Sequence, residues 1–262
     1  MMENQKSQLN VIKIGGNIID NPIQLEQFLT DFATLDGFSL LVHGGGKIAT
    51  EMAKELGIQS QMIDGRRVTD EASLRIVSMV YAGWINKSIV GKLQGLGKNA
   101  LGLSGPDGQL VLSKKRSQVP IDYGFVGDIE KINGFGLHQL MTLGYHLVFA
   151  PITADSTGQL LNTNADTMAQ ALAIALSEFY QVNLIYCFEK QGVLLDPEND
   201  DSVISSINQN SFDNLKSKGI VSAGMIPKLE NALKAISQGV YEVQITHAKN
   251  VKFPSKGTTI KA

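Results

Sequence analysis

A chain of 262 residues has room for one large α/β domain or for two small lobes around a cleft. Its hydrophobic share of 43% suffices for a full core and excludes a disordered chain. The formal charge of −2 excludes a global field toward nucleic acid or anionic membrane, so any anion site must be built locally from a few Lys, Arg and backbone N–H groups.

Short apolar runs alternate with longer helical patterns. Leu9–Ile14 reads as a buried strand ending at Gly15-Gly16. Pro22–Leu35 reads as a helix, with Asn21 as N-cap and Pro22 at the first helical position. Phe38–Val42 is the second strand and ends at Gly44-Gly45-Gly46; Lys47–Leu56 is the next helix, stopped by Gly57. That order predicts a βαβ unit and a parallel sheet. Asp70–Leu93 reads as a long helix bearing the only tryptophan, Trp84, with Thr69 as its N-cap. Short strands and turns follow to about Lys131, with a turn signal at Gly105-Pro106-Asp107-Gly108, and read as hairpins forming a lid or rim. Then come a short helix Gly134–Leu143, a strand Tyr145–Ala150, a strong helix Ala165–Leu176 and a core strand Val182–Phe188. A polar loop Asp196–Asp201, a helix Pro227–Ser237 and a last long strand Tyr241–Thr246 complete the pattern. The expected class is α/β, an open and mainly parallel sheet sandwiched by helices. Ligands of such sheets bind beyond the C-terminal ends of the strands, where both glycine clusters lie.

The single cysteine, Cys187, precludes an intrachain disulfide, fits a reducing cytosol, and reads as a buried structural thiol. Met1 to Asn10 is polar without a signal-peptide core, and no apolar stretch approaches the ~20 residues of a membrane span. Together these predict a cytoplasmic protein. The four histidines form no cluster of metal-ligand spacing.

A strand that feeds a glycine turn and then a helix points backbone N–H groups at an oxyanion, without a Cβ in the way. Both clusters fit phosphate or carboxylate; either alone also fits a tight structural turn. His43-Gly44-Gly45-Gly46-Lys47-Ile48 is not a P-loop, since Leu41 stands where a glycine is needed and Ile48 where Ser or Thr is needed. Neither turn has the 1-3-6 glycine spacing of a dinucleotide fingerprint. Lys13, inside an apolar strand, either meets an anion or snorkels to water. Lys228, at a helix start, opposes the helix dipole and hints at an anion. Two lysines and two glycine turns fit phosphoryl transfer, which needs positive charge and alignment more than a covalent nucleophile. Asn162-Thr163-Asn164-Ala165-Asp166 offers Asn164 as an N-cap, or Asn162 as a ligand contact with Asp166 ordering cations. Arg67 is either a carboxylate fork or a solvated arginine.

In order and spacing, seven segments resemble the amino acid kinase family over nearly the whole chain. They are Lys13-Ile14-Gly15-Gly16, His43-Gly44-Gly45-Gly46, Arg67-Val68-Thr69, Gly102–Gly108, Val126-Gly127-Asp128-Ile129, Asn162–Asp166 and Gly224-Met225-Ile226-Pro227-Lys228. The resemblance implies a three-layer α-β-α sandwich in which ATP phosphorylates the side-chain carboxylate of an N-acyl-L-glutamate, N-acetyl before N-succinyl; a kinase of aminoadipate derivatives and a non-catalytic nucleotide or amino-acid sensor are the alternatives. The acyl substrate belongs to an N-lobe of about 1–180 and MgATP to a C-lobe of about 181–262. By position, Lys13 and Lys228 stabilise the transferring phosphoryl group and Asp166 orients both. Gly45, Gly46, Arg67 and Asn162 are the implied substrate contacts, and Gly15 and Gly16 the phosphate contacts. Glu189, Lys190, Gly192, Val193, Leu194, Val221 and Ser222 fall where the family holds its nucleotide. Mg²⁺ is expected on the nucleotide phosphates, with no protein metal ligands. Phe188-Glu189-Lys190-Gln191 departs from the family's Asp-x-x-Gly pattern, with Glu189 as the substitute acid. Arginine-inhibited relatives carry an additional N-terminal helix. This chain starts about ten residues before its first strand, which implies a homodimer insensitive to arginine.

Overall fold

A computed structural model describes residues 6–63, 65–196, 198–219 and 225–262. In chain order the strands and helices begin β1 Gln8–Ile14, α1 Gly16–Ile19, α2 Pro22–Ala33, β2 Phe38–His43 and α3 Gly46–Glu55. A hairpin, β3 Gln61–Ile63 and β4 Arg66–Val68, leads to α4 Glu71–Val77, a π-helical segment Ser78–Ile85 and α5 Asn86–Gly95. Next are β5 Ala100–Leu103, β6 Val111–Lys115, β7 Gly127–Ile132, α6 Gly134–Thr142, β8 His146–Phe149, β9 Ile152–Ala154 and β10 Leu160–Asn162. The remainder is α7 Ala165–Leu176, β11 Gln181–Phe188, β12 Ser206–Ile207, α8 Gln209–Ser217, α9 Ile226–Ser237, β13 Glu242–His247 and β14 Thr258–Ile260.

Eight strands form the central sheet in the order β12-β14-β13-β11-β1-β2-β8-β5. All neighbours are parallel except β13 and β14. The central strands bury both faces, so they read as continuous apolar runs. Their side chains still alternate between two cores. Leu9 and Val11 join the core beneath α7 and α9, whereas Ile12 and Ile14 join the core beneath α2, α4 and α5. Each fully buried Leu or Ile contributes about 1.5–3 kcal/mol. The same alternation puts Lys13 on the α7 side, and β11 repeats it with Leu184, Tyr186 and Phe188. Lys13 pairs in register with Tyr186, so the lysine and two aromatic rings share one face.

The expected hairpins form a second sheet, β10-β9-β6-β7, at the edge of the main one. The expected long helix is instead three joined segments, with the π-helical turn in the middle. Its N-cap is Asp70 rather than Thr69: the Asp70 carboxylate accepts the Ser73 N–H at 2.7 Å. Asn21 caps α2 as expected, accepting from the N–H groups of Ile23 and Gln24. Gly57, at φ 73°, ends the helix that begins at the second glycine cluster. Helix α8 was not anticipated from the sequence.

Candidate functional site

The C-terminal ends of β1, β2 and β11 meet the N-terminus of α7 at one cleft. Lys13 is only 8% exposed, and a lone ammonium there would be costly. Its Nζ lies 2.7 Å from Asp166 Oδ1. Asp166 stands in the first turn of α7, where the helix dipole also favours a carboxylate. Asn164 caps that helix, accepting the Thr167 N–H at 3.0 Å, which fixes where Asp166 points. From the other side, Lys228 near the start of α9 places its Nζ 4.0 Å from the Phe188 ring centroid. Lys13 Nζ lies 5.5 Å from the same ring. Burial pushes the Lys228 ammonium below its ordinary range; Asp166 opposes that shift and Lys13 adds to it. The two lysines and Asp166 are therefore one electrostatic group, built from three segments far apart in sequence.

The two glycine turns face each other. A Cβ on Gly44 would lie 3.7 Å from the Gly16 nitrogen, and the Gly44 N–H donates to the Ile14 carbonyl at 3.2 Å. Gly45 has φ 144°, and a Cβ there would overlap Ile85 Cδ1 and come within 3.2 Å of Tyr81. Only glycine satisfies both conditions. The π-helical segment is what brings Tyr81 and Ile85 against the turn.

One pocket opens beside Gly44–Gly46 and is bounded by Arg67, Tyr81, Arg116, Asn162 and Thr163, among others. Arg67 is buried and braced: its guanidinium donates to Ser60 Oγ at 2.6 Å, to the Gly46 carbonyl at 2.8 Å and to Thr50 Oγ1 at 2.7 Å. Thr69, freed from capping, donates to the Arg67 carbonyl and accepts from Asn162 Nδ2 at 3.1 Å. Arg67 and Asn162, 95 positions apart, are thus held by one hydroxyl. Burial pushes the Tyr81 phenol up, and the nearby Arg67 opposes it. Arg116 reaches this pocket from the edge sheet, its Nε 3.0 Å from Asp128 Oδ1. The sequence offered no local signal for Tyr81 or Arg116, since each enters from a distant part of the chain.

A second pocket lies on the β11 side, bounded by Gly15, Gly16, Phe188, Glu189, Lys190, Gly192, Met225 and Lys228, among others. Gly192 is packed tightly, since a Cβ would stand 2.7 Å from Thr258 Oγ1. Val193 is buried and its N–H donates to Thr258 Oγ1 at 2.8 Å; Leu194 bridges to Val203. Lys190 is exposed and pairs with Asp200 at 2.8 Å. Val221 and Ser222 lie outside the described residues. Cys187 is buried behind this pocket, its thiol pushed up to about 12, and so is no nucleophile. Among the described residues no three His, Cys, Asp or Glu side chains gather as metal ligands, and Asp166 is engaged by Lys13.

A sequence model of the amino acid kinase family matches residues 8–247. The acetylglutamate kinase of Cytophaga hutchinsonii is 54% identical over 245 residues, covering 93% of each chain. That of Bacteroides fragilis is 49% identical over 261 residues, covering 100% of both. Among solved structures, N-acetylglutamate synthase from Neisseria gonorrhoeae superimposes with a TM-score of 0.81 at 18% identity, covering 98% of this chain and 60% of that one. Carbamate kinase from Giardia lamblia gives 0.69 at 14% identity, with 100% of both chains covered. At those identities the structural likeness speaks for the fold alone, a mainly parallel sheet between helical layers.

Proposed function

The chain belongs to the amino acid kinase family, and from that premise we propose that it uses ATP to phosphorylate the side-chain carboxylate of N-acetyl-L-glutamate. The product is N-acetyl-L-glutamyl 5-phosphate, an intermediate of arginine biosynthesis. The observation that carries the chemistry is the convergence of Lys13 and Lys228 on one aromatic ring at the cleft, with Asp166 paired to Lys13.

A side-chain carboxylate is already ionised at neutral pH, so the attacking oxygen needs no general base. What the reaction needs is alignment and positive charge. Arg67 and Asn162 hold the amino-acid end of the substrate in the pocket beside Gly45 and Gly46. The carboxylate then points toward the lysines. The nucleotide occupies the β11 side, with its phosphates over Gly15 and Gly16 and its remainder along Glu189–Leu194; the family pattern adds Val221 and Ser222. Lys13 and Lys228 neutralise the phosphoryl group as it passes between the two oxygens. Asp166 anchors Lys13 through their 2.7 Å ion pair and adds opposite charge in the neighbourhood of Lys228. Mg²⁺ held through the nucleotide phosphates beside Gly15 and Gly16 would supply further charge neutralisation. In this reading residues 1–180 supply the acyl-substrate lobe and 181–262 the nucleotide lobe.

Arg116 favours a second reading of the acyl group. It brings a further guanidinium to the acyl pocket, where the terminal carboxylate of an N-succinyl group would meet it. The deciding measurement is turnover with MgATP on acetylglutamate, succinylglutamate, glutamate, aspartate and aminoadipate. Acetylglutamate is expected to lead. Faster turnover of succinylglutamate moves the assignment to that substrate, and no turnover of either acylated glutamate overturns it. A non-catalytic nucleotide sensor would bind ATP and turn over none of the five.

We also place the protein in the cytoplasm as a homodimer. Among the described residues no helix is long and apolar enough to cross a membrane. The exposed Met79 and Trp84 on the π-helical segment supply apolar surface for a second copy. Sedimentation at a mass near 28.3 kDa would count against the dimer.

A further inference from the structure

The Gly44–Gly46 turn is exposed to the cleft on one side and backed on the other by a buried polar relay. His43 ends β2 and is 0% exposed. Its Nδ1 lies 2.8 Å from the Gly44 carbonyl oxygen, and its Nε2 lies 3.2 Å from Asn86 Nδ2. The Asn86 amide also donates to the Val148 carbonyl at 2.9 Å, and its Oδ1 accepts from Lys87 Nζ at 3.1 Å. Lys87 Nζ in turn donates to the Gly102 carbonyl at 3.0 Å. A carbonyl accepts only, so Nδ1 must carry the imidazole hydrogen. Nε2 is then an acceptor, and the donor facing it is the Asn86 NH₂ group. Every polar atom of His43 and Asn86 side chains has a partner of the right kind, which fixes a single tautomer. Burial pushes the imidazole down to about 4, so this neutral form persists at physiological pH.

We propose that His43, oriented by Asn86, is a positioning residue for phosphoryl transfer: by holding the Gly44 carbonyl from behind, it aims the Gly45 N–H of the same peptide unit into the cleft. A peptide unit is planar, so fixing the Gly44 carbonyl also fixes the direction of the Gly45 N–H. Gly45, at φ 144°, has no side chain of its own to limit that rotation. The π-helical segment supplies the second brace through Ile85 and Tyr81. Asn86 is the first residue of the helix that follows it, so one continuous helical stretch holds both the carbonyl and the Cα side of the turn. Nothing in the relay touches a ligand. It acts on the reaction through the turn.

This inference rests on the kinase reading and has a test separate from it. In His43→Asn the amide NH₂ replaces Nδ1–H and keeps a donor for Gly44. In His43→Gln the amide reaches the Nε2 position, where its oxygen accepts from the Asn86 NH₂ group, and the Gly44 carbonyl is left without a donor. H43Q is expected to lower kcat about 10- to 100-fold, with KM for the acyl substrate changed by less than about threefold. H43N is expected to retain kcat within about fivefold of wild type. Asn86→Leu removes the donor that faces Nε2 and leaves the ring unoriented, so it should fall with H43Q although it lies a residue further from the cleft. Kinetics are normalised to folded protein by circular dichroism, which separates a stability loss from a turnover loss. Equal kcat for H43N and H43Q, or a loss confined to melting temperature, overturns the proposal. If either His43 variant does not fold, N86L decides alone: wild-type kcat in N86L overturns the proposal. A wild-type protein without turnover is a different result, and it sinks the kinase reading instead.

Discussion

Lys228 Nζ sits 4.0 Å from the centroid of the Phe188 ring, and Lys13 Nζ sits 5.5 Å from the same centroid. Two like charges thus share one aromatic ring, with Asp166 supplying the opposite charge. Phe188 lies at the start of the segment that departs from the family's acidic pattern, and Tyr186 stacks behind it at 6.2 Å. The electron-rich face attracts an ammonium by electrostatics, an interaction worth about 0.5–2 kcal/mol. It holds Lys228 near the cleft without a carboxylate that would compete with phosphate.

Phe188→Leu keeps the apolar volume and removes the ring. It should lower kcat about 3- to 30-fold at saturating ATP, while Phe188→Tyr stays close to wild type. Steady-state kinetics of the two variants check this. If F188L and F188Y have the same kcat, the ring is only packing.

Arg67 gives a second prediction. Three of its guanidinium contacts are internal, to Ser60, Gly46 and Thr50, so its fork is pre-aimed and little rotamer freedom remains to be lost on binding. Lysine at this position keeps the charge but has neither the planar fork nor the reach to three acceptors. Arg67→Lys should raise KM for the acyl substrate about 10- to 100-fold while changing kcat far less. KM for ATP should stay near wild type. A loss that falls on kcat alone would place Arg67 on the transferring phosphoryl group instead.

Much of this cleft was legible from local chemistry. Lys13 stood out because a charge inside an apolar strand is costly, and of the two readings the sequence left open, an ionic partner or water, the structure shows the partner, Asp166. Asn21 and Asn164 were readable as caps because a cap is a bond between near neighbours. Thr69 was misread by one residue because Thr69 and Asp70 are both competent caps. What decided between them was tertiary: Asn162 claims the Thr69 hydroxyl from 93 residues away. The π-helical turn was invisible because a single added residue per turn barely disturbs a 3.6-residue pattern. Its reason lies in the packing of Ile85 and Tyr81 on Gly45, which no helical window contains. Helix α8 escaped for a simpler reason: its capping box closes on Ser211 rather than on Glu or Gln, and Phe212 is its only buried residue.

The pH dependence of the reaction tests the lysine group as a whole. On the proposed mechanism Lys228 must be charged to neutralise the phosphoryl group, so activity is present where it is protonated and is lost as pH rises through its pKa. That pKa is lowered from the ordinary value of 10.5, chiefly by burial and further by Lys13, while Asp166 works against the shift. The profile of kcat/KM for ATP reports the free enzyme, so its alkaline limb should fall below 10.5. The profile of kcat reports the complex, in which phosphate charge beside the ammonium favours its protonated form; that limb should lie at higher pH. Asp166→Asn removes the one nearby charge that raises the Lys228 pKa, so the kcat/KM limb of D166N should move to still lower pH, along with a fall in kcat from the unanchored Lys13. A limb that stays in place in D166N would mean that some other group controls it, and that Asp166 and Lys228 are not coupled across the cleft.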